Sequence, residues 1–312
     1  MMNAIEVNEV TRTFSNSRAL DAVSLSVPEG AICGLLGRNG AGKTTLMSLI
    51  AGQDRPTSGA IRVNGANPFE NAEVLSQISY IRDNQRYPES YQLHHVLRIA
   101  PTFAPRWNSE LAEELVDGFR IPQKIDVRKL SRGQLSAIAA TISLASRSPV
   151  TLLDEPYLGL DVSARRFFYE MLIREVAEVP RTILFSTHLI EEAEHLFDRI
   201  VLIERGRIVL DGEADEARAT AYLASGVGDG ISAFLSGRDV LSRQRVGSMQ
   251  SAVLRGELND ELREDAAHNH VQLSPATLQD LAIAYGTPTP GTEDTAEPKP
   301  ARQRTVRKGA SS

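Results

Sequence analysis

The stretch Gly37-Arg38-Asn39-Gly40-Ala41-Gly42-Lys43-Thr44 has the form G-x-x-x-x-G-K-[ST], and it decides the fold class of this chain. Its glycines allow consecutive backbone N–H groups to point inward around phosphate oxygens, because no Cβ atoms obstruct them. Lys43 adds a positive charge toward the terminal phosphates, and the hydroxyl of Thr44 can ligate Mg²⁺. The motif therefore predicts a loop, completed by Thr45, that binds the phosphates of a nucleoside triphosphate.

The sequence on either side of the loop favours this interpretation. Residues 31–36 form a continuous apolar run, which is typical of a strand buried on both faces. A helix is predicted after the loop, from Lys43 to Ala51, and Gly52 ends it. The order of strand, loop and helix directs the positive end of the helix toward a bound anion.

Further strands and helices alternate along the chain. We expect strands within 3–36 and at 60–63, 78–81, 150–153 and 182–186, with a hairpin over 200–211. Helices are predicted within 92–147 and at 162–178 and 189–197. This order predicts an α/β fold with a mainly parallel core sheet, an N-terminal antiparallel β subdomain and a helical subdomain at about 84–147.

The character of the sequence changes after residue 214. We expect a first domain at 1–214 and a small C-terminal α/β appendage at 215–285. Within the appendage, the sequence predicts a hairpin over 239–255, a helix over 258–268, and a helix over 275–285 opened by Ser274-Pro275. Residues 286–312 have almost no large apolar side chains and are expected to be a disordered, solvated tail.

Composition and charge limit the classes of function. The 312 residues are 42% hydrophobic and 24% charged, with a formal net charge of −6, so no overall positive field favours nucleic acid. The single cysteine, Cys33, lies in an apolar run, where it is expected to be a core residue in a reducing compartment. We recognise neither a signal peptide nor an apolar run long enough to span a bilayer, so a membrane function would need a second chain.

A pair of carboxylates follows the strand predicted at 150–153. Asp154 ends that strand, and Glu155 comes next. Because a carboxylate at the carboxyl end of a strand beside the phosphate loop can hold Mg²⁺, we expect Asp154 to be a metal ligand with Thr44. Glu155 is placed to orient or deprotonate an attacking water, so we expect it to be the catalytic base.

The segment Leu130-Ser131-Arg132-Gly133-Gln134 ends 20 residues before Asp154. It resembles the LSGGQ signature of the ATP-binding cassette (ABC) ATPases, a class of P-loop NTPases, and the resemblance covers roughly residues 3–213. In that family the signature of one subunit closes over ATP held by the phosphate loop of another. The resemblance implies that Ser131, Arg132, Gly133 and Gln134 contact ATP. Ser131 and Gln134 also satisfy the pattern of a capping box, and the two roles are compatible.

Three other elements occur in the order that this family shows. Phe14 lies 23 residues before Gly37 and matches the aromatic residue that stacks on adenine. The segment Gly159-Leu160-Asp161 resembles the loop that couples the two sites of a dimer. His188 matches the switch histidine that contacts the γ-phosphate and Glu155. The resemblance thus implies ATP and Mg²⁺ as cofactors, with Lys43, Glu155 and His188 as catalytic residues.

Two positions depart from the family pattern. A glutamine usually follows the strand corresponding to 78–81, where it touches Mg²⁺ and the attacking water, but Asp83 aligns with it here. Asp83 could ligate Mg²⁺, although an ionised carboxylate cannot donate a hydrogen bond, and Gln85 could substitute for the glutamine instead. Arg132 replaces the first glycine of the signature and keeps its backbone N–H. These changes affect the expected rate of hydrolysis more than the fold.

The resemblance implies the ATP-hydrolysing subunit of a transporter. Such a subunit pairs with a second ABC ATPase subunit, identical or homologous, and drives an integral-membrane permease on a separate chain. The permease is expected to contact residues at about 84–129. The stretch 103–108 is similar to a branch of prokaryotic exporter ATPases. We therefore expect a cytoplasmic protein bound to the inner face of the cell membrane.

Other functions of ABC ATPases are alternatives. A soluble member could act in iron–sulfur assembly, on DNA or on ribosomes. The DNA-repair type needs a long coiled-coil insertion, whereas 87 residues separate Lys43 from Leu130 and show no sustained heptads. The ribosome type normally carries two cassettes. A non-catalytic regulatory cassette would agree with Asp83 but not with Lys43 and Glu155. No nucleic-acid partner is expected.

Overall fold

The computed structural model describes residues 2–15, 17–82, 85–122 and 124–286. Asp83 and residues 287–312 lie outside this part of the chain, and so do the expectations of a metal ligand at Asp83 and of a disordered tail. The described strands are β1 (Asn3–Phe14), β2 (Ser17–Pro28), β3 (Ile32–Leu36), β4 (Ser58–Val63), β5 (Ile78–Ile81), β6 (Val150–Asp154), β7 (Thr182–Thr187), β8 (Arg199–Glu204), β9 (Arg207–Glu213), β10 (Ala221–Val227), β11 (Val240–Val246), β12 (Met249–Arg255) and β13 (Gln272–Pro275).

The described helices surround these strands and connect them. They are α1 (Lys43–Ile50), α2 (Ala72–Leu75), α3 (Leu93–Phe103), α4 (Ser109–Gly118), α5 (Arg132–Ser146), α6 (Val162–Glu178), α7 (Ile190–Ala193), α8 (Ala214–Ala219), α9 (Gly228–Leu235), α10 (Asp260–His268) and α11 (Leu278–Gly286).

The central sheet contains six strands in the order β5-β6-β7-β3-β8-β9. Neighbouring strands run parallel except for β8 and β9, which form the predicted hairpin. Strands β3 and β6 are buried along their whole length, because each is an apolar run covered on both faces of the sheet. The mainly parallel core sheet predicted from the sequence is confirmed.

The register of the central sheet brings three loop regions to one edge. Leu36, the last residue of β3, pairs with Thr187 at the end of β7. Asp154, the last residue of β6, pairs with Ser186. Because these strands are parallel and adjacent, the segments that follow them emerge side by side at their carboxyl ends.

A second, antiparallel sheet covers the first helix and confirms the predicted N-terminal β subdomain. Its order is β2-β1-β4. Apolar side chains of this sheet share a core with α1 and with the inner face of β3, including the fully buried Ile5, Leu46 and Cys33. Cys33 is therefore a core residue, as predicted.

Helices α3, α4 and α5 occupy the helical subdomain that the sequence predicts. Helix α5 begins with the expected capping box, in which Ser131 Oγ accepts a hydrogen bond from the Gln134 N–H at 3.2 Å. In return, Gln134 Oε1 accepts a hydrogen bond from the Ser131 N–H at 2.9 Å. The first turn of α5 is thus fixed by the signature segment itself.

The C-terminal appendage differs in detail from the prediction. It is a four-stranded antiparallel sheet in the order β11-β12-β10-β13, with Phe234 of α9 and Ala266 of α10 in its core. The hairpin at 239–255 and the helix near 258–268 are confirmed by β11, β12 and α10. Strands β10 and β13 and helix α9 were not predicted, because their pattern of burial depends on pairing between distant segments.

The prediction that Ser274-Pro275 opens a helix is wrong. Both residues belong to β13, where Pro275 pairs with Tyr222 at the end of an edge strand, a position that does not need its missing N–H. The helix begins at Leu278, where the side chains of Thr277 and Asp280 hydrogen-bond to each other's backbone N–H. Gly286 is the last residue of α11 rather than the first of the tail.

Helix α11 packs back against the first domain. It contacts α7, α8 and β8, and its carboxyl end reaches the phosphate loop, where Arg38 Nη1 donates to the Gly286 carbonyl at 3.1 Å. Within the described residues, no helix is long and apolar enough to cross a membrane.

Candidate active site

The phosphate loop lies between β3 and α1 and packs closely against β2 and β8. Gly37 has φ +148°, and a Cβ there would lie 2.3 Å from the Ile203 carbonyl oxygen of β8. Gly42 has φ +115°, and a Cβ there would lie 2.8 Å from the Ala19 carbonyl oxygen. Both positions therefore require glycine for two reasons. The backbone is left-handed at each of them, and a neighbouring strand, β8 for Gly37 and β2 for Gly42, leaves no space for a side chain.

Lys43 is buried within this loop. Its side chain is 6% exposed, and its Nζ donates hydrogen bonds to the Gly37 carbonyl at 2.7 Å and to the Arg38 carbonyl at 3.3 Å. The same Nζ lies 3.7 Å from Glu155 Oε1. The structure therefore joins the predicted phosphate-binding lysine to the predicted catalytic base.

Asp154 and Glu155 are held by the end of β7. Ser186 Oγ donates to Asp154 Oδ1 at 2.6 Å and accepts from the Glu155 N–H at 3.1 Å. Glu155 itself has φ +53°, a left-handed conformation that is uncommon for a residue other than glycine. This bend turns its side chain toward the loop instead of continuing the strand direction.

Among the described residues, the side chain of Glu155 has three polar neighbours. His188 Nδ1 lies 2.6 Å from Glu155 Oε2, and the Tyr157 hydroxyl donates to the same oxygen. Lys43 faces the other oxygen. The carboxylate is thus buried between a cation and two hydrogen-bonding groups, so the structure brings Lys43, Glu155 and His188 together.

A cleft of about 550 Å³ opens over these residues. It is lined by residues of the phosphate loop and of the strand ends, namely Ala19, Arg38, Asn39, Gly40, Gly42, Lys43, Thr44, Thr45, Asp154, Glu155, Leu158 and His188. The cleft combines loop glycines, a cation and hydroxyl groups near two carboxylates, which is the chemistry that a triphosphate with its cation requires.

The residues present fit a magnesium ion that is bound jointly with phosphate. Thr44 and Asp154 line the same cleft and supply one hydroxyl and one carboxylate. Within the part of the chain that the structure describes, no three His, Cys, Asp or Glu residues form a metal-binding group. Mg²⁺ is commonly held by one or two carboxylates together with substrate phosphates and water, so this donor set suits Mg²⁺ better than a metal that needs an all-protein cage.

The signature segment does not take part in this cleft. Among the described residues that line it, none belongs to 130–134. Gly133 instead packs against Gly159, where an added Cβ would lie 2.4 Å from the Gly159 carbonyl oxygen. Ser136 Oγ of α5 also donates to the Leu158 carbonyl at 2.5 Å. The signature helix and the segment Gly159-Leu160-Asp161 are therefore one packed unit within this chain.

Gln85 and Arg132 line a second, smaller cavity. Its volume is about 170 Å³, and Glu155 also forms part of its wall. Gln85 is therefore placed near the predicted base, as expected if it substitutes for the usual glutamine. The competing expectation, Asp83, lies outside the described residues.

Phe14 ends β1 and is not among the described residues that line the phosphate cleft. Its side chain is 45% exposed, and the Arg12 guanidinium lies 4.4 Å from the centre of its ring. The exposed ring is available for stacking, but its adenine-binding role stays a prediction.

Two residues of this site were missed in the sequence. Tyr157 is 1% exposed, and burial, followed by the negative charge of Glu155, raises its pKa above the ordinary value for a phenol. Ser186 bridges Asp154 and the Glu155 backbone. Only their closeness in sequence to predicted site residues could have indicated them. Tyr157 lies two residues after the predicted base, and Ser186 lies two residues before the predicted switch histidine.

Comparison with known proteins gives a consistent result. The sequence profile described as ABC transporter matches residues 20–158. The ABC transporter ATP-binding protein YtrB of Bacillus subtilis is 30% identical over 214 residues, which cover 69% of this chain and 73% of that protein. The sulfate/thiosulfate import ATP-binding protein CysA of Bradyrhizobium diazoefficiens is 31% identical over 239 residues, which cover 73% of this chain and 70% of that protein.

A solved structure shares the fold. The ATP binding subunit of an ABC transporter superposes with a TM-score of 0.62 at 27% identity, covering 69% of this chain and 92% of that chain. The predicted fold class, an α/β ABC ATPase with a mainly parallel core sheet, is confirmed.

Proposed function

Because this chain belongs to the ABC transporter family, we propose that it is the subunit that binds and hydrolyses ATP to drive a separately encoded membrane permease. The chain is an ABC ATPase. The proposal concerns the residues that act, the second subunit that completes the site, and the partner that uses the energy.

The observation that supports hydrolysis most strongly is the environment of Glu155. Its carboxylate is 11% exposed, lies on the wall of the phosphate cleft, and is held by Lys43 and His188. A site that only bound phosphate would not need a buried carboxylate in its wall, because the negative charge of the carboxylate repels the phosphate. A carboxylate at this point is suited to accept a proton from water.

The proposed reaction uses the described residues in named roles. The loop N–H groups and Lys43 hold the β- and γ-phosphates. Thr44 and Asp154 would hold Mg²⁺, which would supply positive charge against the phosphate oxygens. The water oxygen forms a bond to the γ-phosphorus, and the bond from phosphorus to the β–γ bridging oxygen breaks. Glu155 receives the proton of the water, and His188 contacts both the carboxylate and the γ-phosphate. The products are ADP and inorganic phosphate.

The site is expected to be completed by a second subunit, either identical or homologous. The phosphate cleft lacks residues of the signature among the described lining residues, although Ser131 is exposed at the amino end of α5. The N–H groups there and the helix dipole favour an anion. Two subunits related by a two-fold axis would each supply a signature to the ATP of the other, sandwiching two ATP molecules.

An aromatic groove between β5 and α3 suits a permease segment. Its volume is about 510 Å³, and its lining includes Tyr80, Tyr87, Tyr91 and Phe103. Phe103 is 77% exposed. The buried Tyr87 hydroxyl has no hydrogen-bond partner among the described residues. An apolar helix with one free carbonyl would match this groove, and this match supports the proposal that the protein binds at the inner face of the membrane. One of the relatives named above is an import protein. The proposal that this chain belongs to an exporter therefore rests on the sequence similarity of the segment 103–108 to exporter ATPases.

Mixing two inactive variants tests the shared site. Lys43→Ala disables the phosphate half, and Ser131→Arg disables the signature half. Mixed at equal amounts, they should regain about a quarter of wild-type turnover if independent sites form in a two-fold dimer, since half of the dimers then contain one intact site. Lys43→Ala mixed with Glu155→Gln is the matched control, because both changes lie in the phosphate half and leave no intact site. Equal turnover in the two mixtures would contradict a site shared between subunits.

Purification from membranes tests the partner. The full chain should co-purify with an integral-membrane protein, and Phe103→Asp should weaken this association. Val246→Asp is a matched control, because Val246 is 79% exposed but lies on the appendage hairpin. Recovery of the chain only with DNA, ribosomes or iron–sulfur proteins would favour the soluble alternative.

A further inference from the structure

We infer that Tyr157 is a positioning residue for hydrolysis, holding the Glu155 carboxylate in the orientation in which it meets His188. The inference rests on the proposed role of Glu155 as the base. It concerns a residue that touches the base and not the nucleotide, because Tyr157 is only 1% exposed and does not line the phosphate cleft.

The Tyr157 hydroxyl lies at the centre of a hydrogen-bonded group formed by distant parts of the chain. It contacts Glu155 Oε2, lies 2.8 Å from Thr187 Oγ1, and accepts a hydrogen bond from the His188 backbone N–H at 3.0 Å. The hydroxyl thus connects the turn after β6 with the end of β7.

The number of available protons determines the direction of these hydrogen bonds. Thr187 Oγ1 already accepts from the Leu189 N–H at 2.9 Å, so its own hydrogen is free to be donated to Tyr157. The tyrosine oxygen then accepts from Thr187 and from the His188 N–H, and its single hydrogen goes to the carboxylate of Glu155. In this arrangement the Tyr157 hydroxyl donates one hydrogen bond and accepts two.

The ring of Tyr157 has little freedom to move. It is stacked on Phe185 of β7 with 6.3 Å between ring centres and 16° between ring planes, and its side chain is almost fully buried. Burial also keeps the phenol protonated by raising its pKa. By contrast, the His188 side chain is 39% exposed. Of the two groups that bind Glu155 Oε2, the tyrosine is therefore the rigid one.

This difference in rigidity gives Tyr157 a distinct task. His188 can move when it contacts a phosphate, and the carboxylate would then be free to rotate about its side-chain bonds. Tyr157 prevents that rotation, because its hydroxyl remains bound to Oε2 while the ring stays packed in the core. A base that keeps its orientation reacts faster than one that samples several rotamers.

A matched tyrosine is available as a control. Tyr169 of α6 is also buried, and its ring centre also lies 6.3 Å from that of Phe185. Its hydroxyl has no hydrogen-bond partner among the described residues. Removing either hydroxyl perturbs the same aromatic layer, but only the Tyr157 hydroxyl touches Glu155.

The experiment compares Tyr157→Phe with Tyr169→Phe in the full-length protein. Steady-state ATP turnover and ATP affinity are measured for both variants at a temperature well below their melting temperatures. We expect Tyr157→Phe to lower kcat about ten-fold with KM for ATP unchanged, because orientation is lost while the phosphate loop stays intact. We expect Tyr169→Phe to retain wild-type kcat and KM.

A double variant makes the test specific to Glu155. In a Glu155→Gln background, adding Tyr157→Phe should cause no further fall in residual turnover, since there is no base left to orient. Unchanged or raised kcat in Tyr157→Phe would overturn the inference, and so would a fall matched by an equal loss of ATP affinity. If wild type hydrolyses ATP and Glu155→Gln does not, either of these results for Tyr157→Phe rejects the role of Tyr157 and leaves the role of Glu155 intact. If Glu155→Gln retains full turnover, the proposed mechanism fails first.

Discussion

Strands β6 and β7 carry a buried group of polar side chains at each end, and the two groups are built in opposite ways. At the carboxyl ends lies the reactive cluster, formed by Lys43, Glu155, Tyr157 and His188. At the amino ends lies the structural cluster, formed by Arg147, Glu175 and Arg181, with Glu178 Oε2 3.7 Å from Arg147 Nη2 at its edge.

In the structural cluster, each oxygen of the buried carboxylate accepts a hydrogen bond from the same arginine. Arg147 binds Glu175 with two hydrogen bonds, from Nε at 3.0 Å and from Nη2 at 3.1 Å, and the Glu175 side chain is 2% exposed. Arg181 lies beside this pair and donates from Nη1 to the Leu144 carbonyl at 3.1 Å. Its Nε and Nη2 have no hydrogen-bond partner among the described residues.

The reactive cluster is open on one side. Glu155 faces the phosphate cleft, and His188 is partly exposed there. Ligands bind at the carboxyl ends of parallel strands because the loops that follow neighbouring strands leave a crevice between them. We therefore expect the buried carboxylate to act in the reaction at one end of this sheet and to stabilise the fold at the other. The same substitution at both ends should separate the two roles.

The largest effect is expected from Glu155→Gln. ATP turnover should fall by roughly 10² to 10⁴-fold, because an amide cannot accept the proton of the attacking water. The free energy of unfolding should change by less than about 1 kcal/mol, since the amide oxygen can still accept from Tyr157. Phosphate release and urea unfolding measure the two quantities, and retained turnover would remove Glu155 as the base.

Glu175→Gln should give the reverse result. Removing the charge leaves the Arg147 guanidinium without its bidentate partner, although Glu178 remains 3.7 Å away, and the free energy of unfolding should fall by about 2 kcal/mol. Turnover per folded molecule should stay at the wild-type value. Urea unfolding followed by tryptophan fluorescence provides the measurement, and a loss of turnover without a loss of stability would contradict the division between the two ends.

Arg181→Met should have a smaller effect of opposite sign. The charged form of Arg181 is poorly accommodated, because two of its guanidinium nitrogen atoms have no hydrogen-bond partner among the described residues and burial lowers its pKa to about 10. Methionine keeps much of the side-chain length without the charge, so the free energy of unfolding should stay equal or rise by about 1 kcal/mol. A fall of more than that would show that the hydrogen bond to Leu144 outweighs the cost of burying the guanidinium.

The smallest effect is expected from Tyr169→Phe at alkaline pH. Burial, with a further contribution from the charge of Glu192, raises the pKa of Tyr169 above its ordinary value of 10.0. A raised folded-state pKa means that the associated stability is complete below the unfolded-state pKa and is lost as pH rises beyond it. Between about pH 9 and pH 11 the variant should therefore lose less free energy of unfolding than wild type. Parallel pH dependences would show that this phenol does not ionise on unfolding.

Local patterns predicted much of the first domain. The strand at 78–81 and the helix at 162–178 have the predicted bounds, because apolar runs and helical spacing of apolar residues are properties of neighbouring residues. The appendage was predicted less well. Its sheet depends on pairing between residues such as Tyr222 and Pro275, which no local pattern reveals.

The phosphate loop, the two carboxylates after β6 and the signature segment could all be recognised in the sequence by itself. Each is a short run whose chemistry follows from residue types at fixed spacing, and together they determine that this chain handles a nucleoside triphosphate. Tertiary structure decided how those groups act on one another. Tyr157 and His188 are 31 residues apart in the chain, yet they meet at Glu155 because β6 and β7 are paired in parallel. A hydrogen bond between distant residues depends on the register of the sheet and on close packing, so it becomes visible only in the folded molecule.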